Sequence, residues 1–111
     1  MKCSSGTDGW CAVHDPADDF YVAMLFPVES VPYVGLSINL GGWPVDRPAN
    51  YNLGLEPCNG YPDRLDVAAG KGSCAVAAPG ERLAWHIDLH MGRCSDLALQ
   101  IPRLREVSIS A

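Results

Sequence analysis

Leu53-Gly54-Leu55-Glu56-Pro57-Cys58-Asn59-Gly60-Tyr61-Pro62-Asp63-Arg64-Leu65 carries a single carboxylate at the point where an apolar strand gives way to a loop. Leu53 and Leu55 alternate with other residues, the period-two pattern of a half-buried strand. Pro57 removes a ladder donor, and Asn59-Gly60 and Pro62 mark turns. Glu56 is thus expected on a rigid element that faces a loop-lined surface, where scaffolds place working carboxylates. The competing reading is a solvated glutamate at a strand end.

Working outward, the rest of the chain repeats this strand-and-turn grammar. Eleven Gly and nine Pro punctuate short apolar runs at roughly the 8–12-residue spacing of an all-β sandwich. Strands are expected over 9–14, 20–26, 32–40, 51–56, 73–77 and 81–91, the last being the longest. The first two form a hairpin across the turn 15–19. In 32–40, Val34, Leu36, Ile38 and Leu40 share one face and Tyr33, Gly35, Ser37 and Asn39 the other. Residues 62–70 suit a short helical turn between Pro62 and Gly70. In the tail, 93–111, Ser95 is expected to cap a short helix that Pro102 ends, with Val107-Ser108-Ile109 as an edge strand or frayed end. The fold class is all-β, an antiparallel β-sandwich in a single domain of 111 residues.

Composition narrows the partners. Hydrophobic residues make up 48% and charged residues 19%, so the chain is globular. A net charge of −5 and scattered basic residues argue against nucleic acid and anionic membrane. The longest apolar run, Val22 to Pro27, is too short to span a bilayer. Met1 to Gly6 lacks an apolar core, so no secretory signal is expected there. Five cysteines, Cys3, Cys11, Cys58, Cys74 and Cys94, form no C-x-x-C pair. Reduced thiols in a cytoplasmic protein are the expectation, with no structural zinc.

Two further constellations stand out. His86, Asp88 and His90 alternate on one strand face, a pattern open to metal but equally to a polar outer face over an apolar inner one. Three ligands in a row on one strand rarely converge on one ion, so no metal site is expected. His14-Asp15 sits at a strand end, where Asp15 suits a turn cap. Tyr33, Trp43, Tyr51, Tyr61 and Trp10 are candidates for a sugar platform, Trp43 and Tyr61 foremost, with core or interface packing as the alternative.

The stretch around Glu56 resembles the segment that holds the catalytic glutamate of the galactose mutarotase (aldose 1-epimerase) superfamily. Val31-Pro32-Tyr33-Val34-Gly35-Leu36-Ser37-Ile38-Asn39 is similar to the strand before that glutamate loop. Ala78-Pro79-Gly80-Glu81-Arg82 with Trp85 is similar to the turn and last long strand after it. The resemblance is collinear over 9–92. It implies part of an antiparallel β-supersandwich and a monosaccharide or sugar phosphate as ligand. It carries Glu56 over as the base, with Trp43, Tyr61, Asn59 and Tyr33 as substrate-binding candidates and no cofactor. The family's acid histidine, its companion histidine and its substrate-binding arginine belong to earlier portions of the family chain and have no counterpart here. The expectation is therefore a carbohydrate-binding, epimerase-like protein with weak or no catalysis. Alternatives are an active epimerase whose acid, His14 or His86, comes across a dimer, and an assembly module without ligand. A partial sandwich exposes strand edges and apolar surface, which predicts a symmetric homodimer.

Overall fold

The computed structural model describes residues 8–108, so Cys3, the segment Met1 to Gly6 and Ile109 lie outside the described residues. The chain is mainly β. Strands β1 (Asp8–Asp15), β2 (Phe20–Pro27) and β5 (Asp88–Arg93) form one antiparallel sheet in the order β1-β2-β5. Strands β3 (Tyr33–Leu40) and β4 (Tyr51–Cys58) form a separate antiparallel pair. Two helices, α1 (Leu65–Lys71) and α2 (Leu97–Ser108), complete the described elements.

The β1–β2 hairpin forms as the sequence predicts. Asp15 Oδ1 accepts the Ala17 amide and Asp18 Oδ1 that of Phe20, each at 2.9 Å, so two Asx side chains close the turn. The register Cys11↔Met24↔Leu89 assigns the two faces of this sheet. One face, with Tyr21, Ala23 and Leu25, is covered by Ile101 and Leu104 of α2. The other, with Cys11 and Phe26, meets Val31, Val34 and Leu55, so it docks the base of the β3–β4 hairpin. Val31 is the pivot: it is 1% exposed and sits in the connection between the two sheets. Its amide donates to the Pro27 carbonyl at 2.9 Å, which fixes that connection.

Five expectations are corrected. The strand expected over 73–77 is reduced to a single bridge, Gly60↔Cys74. Two hydrogen bonds flank that bridge, and Pro62, which has no N–H, follows at once, so the ladder ends. The long strand expected over 81–91 pairs only from Asp88, opposite Leu25; two residues further β2 reaches Pro27, which has no N–H to offer, and turns away. The helix at 62–70 starts later, at Leu65, and ends at Gly72 with φ +64°, the left-handed cap that glycine favours. In the tail, Asp96 and not Ser95 caps α2, its Oδ1 accepting the amides of Ala98 and Leu99. Pro102 lies inside that helix and does not end it. The carbonyl that Pro102 leaves without a donor is that of Ala98, which is exposed to water. Burial of Ile101 and Leu104 on either side holds the helix.

The alternation predicted for β3 also holds, but its apolar face is not a core. Only Val34 and Leu55 reach the buried cluster. Leu36, Ile38 and Leu40 are 52%, 58% and 79% exposed.

Candidate functional site

The polar face of the β3–β4 hairpin carries the candidate site. Register pairs Gly35 with Glu56 and Tyr33 with Cys58, which puts all four on one face. Gly35 and Gly54 matter because they lack side chains. A Cβ on Gly35 would lie 3.5 Å from Glu56 Oε2, and one on Gly54 would lie 3.3 Å from Oε1. The Glu56 side chain thus lies across the strand surface over two glycines. It is exposed, and its carboxylate accepts no hydrogen bond among the described residues.

Beyond Glu56 the chain turns through Asn59 and Gly60 and brings Tyr61 back against Tyr33. The two rings lie 5.9 Å apart at their centroids, inclined by 34°. Two bonds hold this turn: the Tyr61 amide donates to the Ser73 carbonyl at 2.9 Å, and the Ser73 hydroxyl donates to the Tyr61 carbonyl. Tyr33, Gly35, Cys58, Tyr61, Arg64 and Val67 line an open depression of about 540 Å³. Tyr33 is also the wall of a second depression of about 360 Å³, which adds Glu29, Asn59, Cys74 and Trp85. Both volumes fall in the range of small-molecule sites.

The charge in this groove is negative. Glu29 lines one depression and Asp63 the other, and each brings a carboxylate. Arg64 is the cation at its rim, and it is already engaged by Asp66, Nε to Oδ1 at 3.1 Å and Nη2 to Oδ2 at 2.5 Å. That guanidinium holds the Asp66 carboxyl below the usual carboxylate range.

The structure therefore places Tyr61 in the first depression and Asn59 in the second, with Tyr33 as their shared wall, while Glu56 is on the same hairpin face as Tyr33 but lines neither. Trp43 is not part of this groove. Its amide donates to Asn39 Oδ1 at 3.3 Å and its carbonyl accepts from Asn39 Nδ2 at 2.6 Å, at the far end of the hairpin. Asn39 is four residues along β3 from Gly35, roughly 13 Å at strand rise. Trp10 packs against the cluster under α2, and Tyr51 closes over Gly41. His14 and His90 are on the sheet face turned toward α2, and His14 Nε2 lies 2.9 Å from the Cys94 carbonyl. His86 falls in the irregular stretch before β5 and does not line either depression. Its alternation with Asp88 and His90 is lost with the strand, and no group of three metal-binding side chains forms among the described residues.

Sequence reasoning missed Trp85 and Glu29. Trp85 falls in the strand expected over 81–91, which does not form there, and Glu29 lies between the strands expected over 20–26 and 32–40. No local pattern marks either, since both reach the groove through the path of the irregular chain. No helix among the described residues is long and apolar enough to cross a membrane. Comparison with known protein families, curated proteins and solved structures finds no match to this chain.

Proposed function

We propose that this protein binds a neutral monosaccharide, free or at the end of a glycan, in the Tyr33–Tyr61 groove, and that it does not epimerise it. The observation that carries this reading is the tyrosine pair at 5.9 Å, with the Glu56 carboxylate two residues along the same hairpin face. Tyrosine faces take the C–H surface of a pyranose, while Glu56 and the Asn59 side chain accept and donate to its hydroxyls. The mutarotase-like β-sandwich supplies the fold frame of this reading, with Glu56 in the family's base position. Epimerisation also needs an acid at the ring oxygen, and none of the three histidines faces the groove. The lining carboxylates Glu29 and Asp63 and an engaged arginine disfavour a 6-phosphate, because like charges repel at close range.

The test is one-dimensional NMR of glucose, galactose and their 6-phosphates with the protein, following line broadening and anomer exchange together. An open groove and a twelve-atom ligand give a Kd on the order of 1 mM. Broadening by the neutral sugars without exchange, lost in Tyr61→Ala and weakened in Glu56→Gln, is the expected result. Exchange faster than the buffer blank and abolished in Glu56→Gln would instead make the protein an epimerase. No broadening at millimolar sugar would leave the assembly reading.

A further inference from the structure

The β3–β4 hairpin has two faces, and the groove lies at its β3 edge, lined by Tyr33 and Gly35 from the polar face and by Val34 and Leu36 from the other. The opposite face presents Leu36, Ile38, Leu40, Tyr51 and Leu53, each between 46% and 79% exposed. Cross-strand pairing stacks them as Leu36↔Leu55, Ile38↔Leu53 and Leu40↔Tyr51, so they form one continuous ladder. No residue on this face, from Val34 to Leu40 and from Tyr51 to Pro57, is charged. Soluble monomers rarely leave such a contiguous apolar surface open.

The surface of the whole chain gives the scale of what is uncovered. It exposes 8162 Å² at 11.9 kDa, where a compact monomer of this mass exposes roughly 5,900 Å². The radius of gyration is 16.5 Å against roughly 13 Å for a compact chain of this length. The chain as a whole is thus more open than a compact monomer, and the exposed ladder is one part of that uncovered surface.

We infer that this apolar hairpin face is the contact surface for a second copy of the same chain, packed face to face about a two-fold axis. An uncharged ladder is self-complementary, so two copies meet there without burying an unpaired charge. Leu89 and Met91, 54% and 64% exposed, are further apolar side chains on the sheet face turned toward the hairpin. The inference does not rest on sugar binding, and of the exposed ladder only Leu36 also borders the groove.

Analytical ultracentrifugation of the full chain tests it. At about 20 µM the expected species has twice the 11.9 kDa chain mass. Ile38→Lys, at a site 58% exposed, should raise the dissociation constant at least a hundredfold and yield a monomer. Ser37→Lys, one residue away on the opposite face, should leave the dimer intact. Far-ultraviolet circular dichroism of both variants separates a lost interface from a lost fold. If Ile38→Lys alone proves unfolded, Leu40→Lys, at the more exposed end of the ladder, replaces it. A monomeric wild type, or a dimer equally stable in the lysine variants on this face, overturns the inference.

Discussion

Val31→Ala is the substitution that most directly examines how the groove is held. Val31 is fully buried and sits where Cys11 and Phe26 of the three-stranded sheet meet Val34 and Leu55 of the hairpin. Truncation removes two methyl-sized carbons, worth about 1.6 kcal/mol at ~0.8 kcal/mol per buried carbon. A cavity term follows, because atoms from two sheets surround the site and cannot all collapse inward, which brings the cost to about 2–3 kcal/mol. A domain of this length holds about 5–15 kcal/mol in total, so the variant should fold but melt roughly 8–12 °C lower. Thermal unfolding followed by circular dichroism is the assay, with Val45→Ala as reference. Val45 is 93% exposed, and its truncation should be silent. If Val31→Ala melts within about 2 °C of Val45→Ala, the hairpin is not anchored at Val31, and the account of the groove's rigidity fails.

Gly72→Ala tests the end of α1. A Cβ there would touch nothing within 4 Å, so the cost is that of the left-handed backbone alone, at φ +64°. About 1 kcal/mol of destabilisation is expected in urea unfolding, with Gly72→Asn costing less. A silent Gly72→Ala would contradict the left-handed cap. Cys11 provides a pH signature: burial raises its thiol from 9.0 to about 11. Folding keeps the thiol protonated while the unfolded chain ionises, so stability is full below pH 9 and falls as pH rises toward 11. Relative to Cys11→Ala, the wild type should lose on the order of 2 kcal/mol across that window. Parallel pH profiles for the two proteins would mean that Cys11 is not buried in the native state.

Much of this architecture is legible in local patterns. The first hairpin is readable because Asp15 and Asp18 sit where turn-closing side chains are needed. The face assignment of β3 is readable because alternation fixes it. What alternation does not carry is whether a face has a partner. Leu36, Ile38 and Leu40 read as core and lie open, because burial belongs to a second layer that the strand itself does not specify. The long strand over 81–91 fails for a related reason: its pattern is sound, but a strand extends only as far as its neighbour, and β2 ends at Pro27. Pro102 fails differently, since packing of Ile101 and Leu104 outweighs a local helix breaker. At the site, Tyr33, Asn59 and Tyr61 come together because one register and one turn place them. Trp43 and Trp85 exchange expected positions because long loops carry them.

The register of one hairpin underlies both proposals. Side chains on a strand alternate, so placing Glu56 and Tyr33 on one face obliges Leu36, Ile38 and Leu53 to take the other. A second copy that covers the apolar face leaves the polar face of each hairpin, with Tyr33 and Glu56, outward on either side of the two-fold axis. Single-site binding near 1 mM is weak for a monosaccharide in solution. Two grooves in one dimer would instead favour a surface bearing many sugar ends, where the second contact forms at high effective concentration. Ile38→Lys should then leave affinity for a free monosaccharide unchanged while reducing retention on a sugar-coated surface by ten- to a hundredfold. Equal losses in both assays would show that the two faces of the hairpin are not separable, and the division of labour argued from its register would be wrong.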